Sequence, residues 1–467
     1  MQVTPGSNAN VVGCAKDLNP FSVRLFRYMA PRAARMVRMP RRSVPERLPH
    51  GVSPSPRSGH PGFPRRSRAV SLKCSARGRR GGRAMETPVE IRRIRPPSGN
   101  EDPEVPGAMV VPGATDASGL DAYVALIRRL DAETIGTSEL ARSPRELALD
   151  LAPSRYSRHV ALGAFEDGAL VGLAELEWEL DEDATTAYLP MLGVEPTHRR
   201  RGIGSRLLAA AEVAAAAAGR RTLVLSADHL ISRDDGHGER LRAPQGEASI
   251  RAGSVAVRFA ERHGYTLGQL DRVSVVSVVG RADEFAARLA ELETSGRSPE
   301  ASARYRIVTW TDRAPDDLVD SLARAHTQMS LDAPSGEIAY ELEPWDAARV
   351  RDDEHRSLER GRTGLFAAAV TADGEVAGFT QLSLLPASTA VEQWDTIVLA
   401  AHRGHRLGLR LKLANLLLLI RTDPTRERVY TWNADENRHM LQINEALGFE
   451  GFVLESQWQK PLTPPES

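Results

Sequence analysis

Two segments of this chain, 204 residues apart, carry one pattern: an apolar strand, an arginine–glycine turn, then an alanine- or leucine-rich helix. The first turn reads Val194, Glu195, Pro196, Thr197, His198, Arg199, Arg200, Arg201, Gly202, Ile203, Gly204, Ser205. The second reads Val398, Leu399, Ala400, Ala401, His402, Arg403, Gly404, His405, Arg406, Leu407, Gly408. Such a chain is constrained to fold as two copies of one α/β unit. A helix start approached this closely by backbone suits an anionic, pyrophosphate-bearing ligand held by main-chain N–H groups.

The flanking sequence keeps the same order. In the first copy, Val89–Ile94 reads as a strand, Leu120–Leu130 as a helix and 160–178 as a hairpin turning at Gly168. Thr185–Val194 is the strand before the turn. Gly202–Ala218 is a helix whose Ile203, Leu207 and Ala214 share a face, and Thr222–Leu225 is a strand. Residues 228–252 read as a loop, Ala256–His263 as a helix stopped by Gly264, and Val273–Val279 as a strand. The second copy repeats this with Tyr305–Thr309, Asp317–Met329, Phe366–Val370, Val376–Leu384, Thr396–Ala400, Leu407–Ile420, Val429–Trp432, Asn437–Leu447 and Val453–Trp458. The turn glycines Gly168 and Gly374 are 206 apart, whereas Gly264 and Gly448 are 184 apart, so the first copy holds an insertion of about 20 residues near 228–252. The expected domains are 86–285 and 304–467, joined by a Ser/Pro/Arg-rich linker at 286–303.

Charge is unevenly placed. Residues 1–85 hold 18 Lys/Arg and only the acids Asp17 and Glu46, and the remainder carries a net charge of −16. An acidic body argues against nucleic-acid binding. The basic leader reads as disordered, with Met85 a natural start for the folded part and import a weaker reading. Both cysteines, Cys14 and Cys74, fall in the leader, which suits a reducing, cytoplasmic setting. Leu407–Ile420 is broken by Arg410, Lys412 and Asn415, so no membrane span is expected.

The turn is neither a dinucleotide fingerprint, since Leu207 stands where its third glycine would be, nor a P-loop. Arg199-x-x-Gly202-x-Gly204 resembles the acyl-coenzyme A loop of the GCN5-related N-acetyltransferase (GNAT) superfamily, and Arg403-x-x-Arg406-x-Gly408 is a variant of it. The distal stretch Trp432–Phe449, with Asn433, Asn437 and Gly448, is similar to the family's fifth strand and following helix; Phe259–Tyr265 is a shorter match. The pairing resembles tandem acetyltransferases of the mycothiol synthase type. The resemblance implies two GNAT domains, each a mixed, twisted sheet flanked by helices, with strand four splayed from strand five. It also implies acetyl-coenzyme A as cofactor. The diphosphate would meet Arg199, Arg200, Arg201, Gly202, Ile203, Gly204 and Ser205 in one copy. In the other it would meet Arg403, Gly404, His405, Arg406, Leu407 and Gly408. The pantetheine arm would lie along the backbone at Leu192–Val194 and Thr396–Val398, with Asn433 or Asn437 contributing a side chain.

The family's thiol-protonating tyrosine is replaced by Ala260 and Asn444. Tyr265 and Tyr430 read as core residues. Amine acylation needs a proton acceptor, for which Glu177 and Asp395 are the candidates. His198 and His402 hold matching places before the loop arginines. The stretch His229–His237 lacks rigid metal-ligand geometry, and no metal is expected. The expected function is direct acetyl transfer to the primary amine of a small molecule by a monomer or homodimer, with the second copy favoured as catalytic. The alternatives are a non-catalytic acyl-coenzyme A binding protein and a protein or peptide N-acetyltransferase.

Overall fold

The computed structural model describes residues 22–23, 89–95, 117–181, 183–294, 304–332, 336–338 and 343–463. The leader, apart from 22–23, and the linker residues 295–303 lie outside them. In the first copy the elements are β1 (Glu90–Ile94), α1 (Ala117–Thr134), α2 (Pro144–Leu151), β2 (Ser157–Glu166), β3 (Ala169–Glu179), β4 (Thr186–Val194), α3 (Ile203–Ala217) and β5 (Thr222–Leu230). A small hairpin, β6 (Arg240–Arg242) and β7 (Ser249–Arg251), follows, then α4 (Val255–Arg262), β8 (Thr266–Ser277) and α5 (Ala282–Thr294). The second copy comprises β9 (Arg306–Thr311), α6 (Val319–Asp332), α7 (Ala347–Glu359), β10 (Thr363–Val370), β11 (Val376–Leu384), β12 (Ala390–Val398), α8 (Leu407–Thr422), β13 (Arg428–Ala434), α9 (Arg438–Ala446) and β14 (Glu450–Pro461).

The strands form one mixed sheet in the order β9-β10-β11-β12-β13-β8-β14-β5-β4-β3-β2-β1. This differs from two separate sheets in one decisive way: the copies exchange their last strands. β8, from the first copy, pairs with β13 of the second, and β14, from the second, pairs with β5 of the first. The two exchanged strands also pair with each other, antiparallel. Asp271 and Glu455 are 184 residues apart, the same offset as Gly264 and Gly448, and they are cross-strand partners. A pseudo-twofold axis therefore passes between them.

The exchange extends to α5. The segment expected to be linker from 286 begins inside this helix, whose Phe285, Leu289 and Leu292 pack with Leu413, Leu416 and Leu419 of α8. That cover explains why α8 is apolar nearly all round: one side lies on the sheet and another under α5. Among the described residues no helix is long and apolar enough to cross a membrane. The region expected as loop from 228 starts inside β5 and includes the hairpin β6–β7.

Buried ion pairs also join the copies. Helix α2 starts with a capping box at Ser143 and Glu146, worth about 1 kcal/mol. Glu146 then accepts from Arg362 Nε at 2.8 Å, and Arg362 reaches Glu392 on β12 at 2.5 Å. Arg360 Nε donates to Asp150 at 2.8 Å. Removing one partner of such pairs costs about 3–5 kcal/mol because the other charge stays buried.

Lys412 on α8 is the opposite case. It is 1% exposed, lies 5.7 Å from the Phe449 ring centre, and has no ion pair among the described residues. Burial pushes its amine down to about 7 from 10.5. Between those values the unfolded chain binds the extra proton, so wild-type stability rises with pH across that window. Lys412→Met is expected to raise the unfolding free energy by about 3–5 kcal/mol at pH 7 and to flatten this pH dependence. Denaturant titrations at pH 7 and 9 check both, and an unchanged midpoint would contradict the cost assigned to this lysine.

Candidate active site

Both parallel strand pairs come apart partway along. β4 and β5 pair from Thr186–Thr222 to Leu189–Leu225 and no further. β12 and β13 pair from Ala390–Arg428 to Gln393–Thr431. Each divergence coincides with a register shift on the other side of strand four. The shift falls between Glu175 and Glu177 on β3, opposite Met191 and Tyr188, and between Thr380 and Leu382 on β11, opposite Thr396 and Gln393. An extra residue bends the strand away. The backbone at Leu192–Val194 and Thr396–Val398 therefore faces an opening. In the first copy Ser22 and Val23 pair with Gly193 and Leu192 there, which shows that this edge accepts an extended partner.

The two loops share a backbone path with different residues. Left-handed conformations occur at Arg200 (φ 65°) and Gly202 (φ 82°) in the first, and at Gly404 (φ 85°) and Arg406 (φ 56°) in the second. Each loop thus has one glycine and one arginine at the same two left-handed positions, in opposite order. A Cβ at Gly202 would meet nothing within 4 Å, so torsion rather than crowding demands glycine there. The helices begin immediately afterwards, with first internal bonds from Arg206 to Gly202 and from Arg410 to Arg406. The amides of Ile203, Gly204 and Ser205, and of Leu407, Gly408 and Leu409, precede those bonds and point outward as an anion-binding end. Arg406→Gly is expected to stabilise the chain by about 1 kcal/mol and Gly404→Ala to destabilise it by a similar amount. Thermal unfolding of the two variants gives the signs.

Three of the loop arginines, Arg199, Arg201 and Arg403, are held by protein partners. Arg199 Nε donates to Val194 O at 2.8 Å and its guanidinium grips Glu133 at 2.6 and 2.7 Å. Arg403 Nε donates to Val398 O at 3.0 Å and reaches Asp332 at 2.5 Å. These are clamps tying strand four to the last turn of α1 and of α6. Arg201 is bidentate to Glu166 at 2.5 and 2.9 Å. Arg200 is exposed without an ion pair among the described residues, so of the three it is the cation open to a phosphate.

Asn437 is also occupied, accepting from Met440 N at 3.2 Å as the cap of α9. Ser254 does the same for α4 through Val257 N. Asn433 Oδ1 on β13 accepts from Asn444 Nδ2 at 2.6 Å, placing both beside the second opening. Ser205 Oγ lies 2.9 Å from His263 Nε2, and His405 stands 5.6 Å from the Tyr305 ring. Thr396 shares a buried hydroxyl contact of 2.7 Å with Thr380, and Leu192, Val194, Ile203 and Leu407 are core side chains. A Cβ at Gly408 would approach Ile443 at 3.1 Å, so glycine here lets α8 and α9 close up. His198 Nε2 is 3.4 Å from Glu166, and His402 Nδ1 is 3.0 Å from the Tyr305 hydroxyl.

The two proposed bases differ. Glu177 pairs with His159 at 3.2 Å on β2 and flanks the bulge of β4, opposite Tyr188. Asp395 stands at the bulge of β12, 3.2 Å from His326 Nδ1. His326 is 5% exposed and held between Trp345, stacked at 4.5 Å, and Phe379, tilted at 4.4 Å. The Asp395–His326 contact lacks hydrogen-bond alignment, as is common before a substrate arrives. Asp353 on α7 completes the group. Burial holds its carboxyl above the usual range, with Arg360, His326 and Arg349 opposing that rise and Asp395 adding to it.

The first copy lacks this dyad. His326 is six residues before the clamp acid Asp332, and Ile127 is six before Glu133. Asp395 precedes Thr396 as Met191 precedes Leu192, and Thr396 and Leu192 hold matching ladder positions. Ile127 and Met191 pack in one apolar cluster. His326 escaped the sequence reading; its signal was a polar residue on the Leu318, Leu322, His326 face of an amphipathic helix.

Tyr265 and Tyr430 are core residues, as expected, with hydroxyls on Glu212 and Glu139 that burial raises well above the normal range. His229 bonds Ser456 Oγ at 2.9 Å and burial pushes it down to about 4, while Asp234 pairs with Arg240. Among the described residues no cluster is arranged to hold a metal ion.

Residues 127–233 match the model of the acetyltransferase (GNAT) family. A tandem GNAT protein from the clavulanic acid biosynthesis pathway is similar over 81% of this chain and 100% of its own, at 24% identity and a TM-score of 0.58. A GCN5-related N-acetyltransferase from Sphaerobacter thermophilus aligns over 75% of this chain and 95% of its own, at 16% identity and a TM-score of 0.47. No curated protein matches the chain.

Proposed function

We propose, from the premise that this chain belongs to the GNAT superfamily and carries its fold in tandem, that it transfers an acetyl group from acetyl-coenzyme A to a primary amine of a small molecule. The second copy is the catalytic one. The observation that carries this assignment is the Asp395–His326 pair at the bulge of β12, against Met191 and Ile127 at the matching places.

The residues present fit coenzyme A. Each opening offers a strand edge for an extended amide-bearing arm, and ends at a helix start with unspent N–H groups for a diphosphate. In the second copy the amides of Leu407 and Gly408, shaped by the left-handed Gly404 and Arg406, would hold the diphosphate; Thr396–Val398 would line the arm. Bound coenzyme A supplies the activated acyl thioester. Asp395 and His326 take the proton that an ammonium must lose before it can attack. Trp345 and Phe379 fix the imidazole plane, so the dyad meets the amine without rotamer search. Asn444, buried beside Asn433, stands where a proton donor to the departing thiolate is needed, but a neutral amide cannot donate one; solvent fills that role.

The first copy is a binding or scaffolding unit. Its loop keeps the amides of Ile203, Gly204 and Ser205, while its acceptor side is closed by Leu120, Tyr123, Ile127 and Met191.

The test is a titration with acetyl-coenzyme A followed by thiol release across a panel of small amines. Binding with amine-dependent release supports the assignment. Binding without release for any amine would reduce the chain to an acyl-coenzyme A binding protein, and no binding would remove the reading altogether.

A further inference from the structure

The sheet face beneath the third helix of each copy is apolar in the first and polar in the second. Phe379 on β11 packs against His326 of α6, so Thr380 points the other way, toward α8. Its hydroxyl meets that of Thr396 and accepts from Gln393 Nε2 at 3.0 Å. Asn415 on α8 donates to Leu365 O of β10 at 2.9 Å. All four side chains are buried. By ladder register and by the 204-residue offset of the turns, their places in the first copy are taken by Ala174, Leu192, Leu189 and Ala211, members of one apolar core.

Two further exchanges lie closer to the opening. Lys412 stands where the first copy has Leu208, and Asn444 where it has Ala260. Lys412 is one turn past Gly408, and residues four apart share a helix face. A Cβ at Gly408 would meet Ile443 of α9 at 3.1 Å and Val398 of β12 at 4.0 Å, so this face of α8 is turned to α9 and to the strand that lines the opening. Lys412 Nζ lies 5.7 Å from the Phe449 ring centre, and the Phe449 amide donates to Asn444 O at 3.0 Å. The lysine therefore ends against the turn that carries Asn444.

Neither side chain is satisfied there. Asn444 is 2% exposed; its Nδ2 is spent on Asn433, and its Oδ1 has no partner among the described residues. Lys412 is 1% exposed and has neither a hydrogen bond nor an ion pair among them. A donor without an acceptor and an acceptor without a donor are thus buried on α8 and α9, below the second opening alone. Burying an unpaired amine is costly, and Leu208 shows that packing does not require one.

We propose that Lys412 is the proton source for the departing thiolate, acting through one water held between its Nζ and Asn444 Oδ1. The inference rests on the acetyl-transfer reading above, and it supplies from the protein the proton that solvent delivers. As the C–S bond breaks, the sulfur keeps the bonding pair and takes a proton from that water, which takes one from the Nζ ammonium. Lys412 is left as a neutral amine and regains a proton from solvent through the opening. The proton lost by the acceptor amine goes separately to Asp395 and His326, and nothing is oxidised or reduced. Burial favours this direction of transfer: it holds the lysine at about 7, below an ordinary thiol at about 8.5. No charged group on α9, β14 or the sheet face contributes to that value; desolvation is its sole cause.

The test is made on the full chain. It has four lysines, Lys16, Lys73, Lys412 and Lys460, few enough for each ¹⁵N-labelled Nζ signal to be assigned by substitution. Coenzyme A is expected to raise the titration midpoint of Lys412 by about one unit, because a neighbouring thiolate favours the ammonium; desulfo-coenzyme A, which lacks the sulfur, should leave it in place. In turnover, Lys412→Met is expected to lower kcat about 10²-fold with acetyl-coenzyme A affinity within about twofold. Lys412→Arg, which keeps the charge but holds its proton, should be equally slow. Since Lys412→Met is expected to be the more stable chain, its loss of rate would not reflect unfolding. An unchanged kcat in Lys412→Met from pH 6 to 9, full activity in Lys412→Arg, or equal midpoints with the two coenzymes would each overturn the proposal. A midpoint raised by coenzyme A alone, with no turnover of any amine by the wild type, would uphold the lysine's place beside the thiol and defeat the enzymatic reading instead.

Discussion

Asp395→Asn is expected to lower kcat for amine acetylation by about 10²–10⁴-fold while leaving the affinity for acetyl-coenzyme A within about twofold. The carboxylate stands at the β12 bulge, 3.2 Å from His326, whereas the cofactor would meet backbone. Asn keeps the shape and removes the proton-accepting charge. His326→Ala should produce a loss of similar size, and the double variant little more than either alone, because residues acting as one unit are not additive. The loss should shrink toward high pH, where the acceptor amine is already neutral. Met191→Asp, the reciprocal change in the first copy, should restore nothing, since Ile127 gives it no partner. Steady-state rates from pH 6 to 10 with a fixed amine decide the matter. Full activity of Asp395→Asn at pH 7 would remove the dyad from the mechanism.

The second large effect concerns folding. Either half made alone, 86–285 or 304–467, is expected to give no cooperative unfolding transition, and the two produced together should recover one. β5 would lose β14, β13 would lose β8, and α8 would lose the cover of α5. Each half would expose long unpaired strand edges, which favours aggregation. It would also leave Arg360 in one half and Glu146 in the other without their buried partners. Circular dichroism melts and size-exclusion profiles of the separate and joint products check this. A monomeric, cooperatively melting half would contradict the exchange of strands.

Much of this was readable in the residues. The duplicated turn, the order of elements and the divergence of strand four from strand five followed from periodicity and the GNAT resemblance, because each depends on local pattern. The strand exchange did not. Thr266–Ser277 and Glu450–Pro461 have the same period of two whichever neighbour they take, so pairing partners at that range leave no mark in composition. Loop arginines posed a related difficulty. The spacing of Arg199 and Arg403 predicts a cation beside the turn, but whether the guanidinium faces a phosphate or Glu133 and Asp332 depends on where a distant helix ends. Asn437 likewise had two uses open to it, and the helix start claimed it. Asp395 could be proposed from its place in the sequence before a strand, whereas the neighbouring His326 required α6 to be laid against the sheet.

In a dimer of identical chains, a residue beside the twofold must face its own twin. Fusion removes that rule here: Asp271 faces Glu455, and Ala434 holds the place across from Asp228. A mutation at the centre of this molecule therefore happens once rather than twice. The junction can be lopsided, graded in charge from one flank to the other, which a symmetric ancestor could never select.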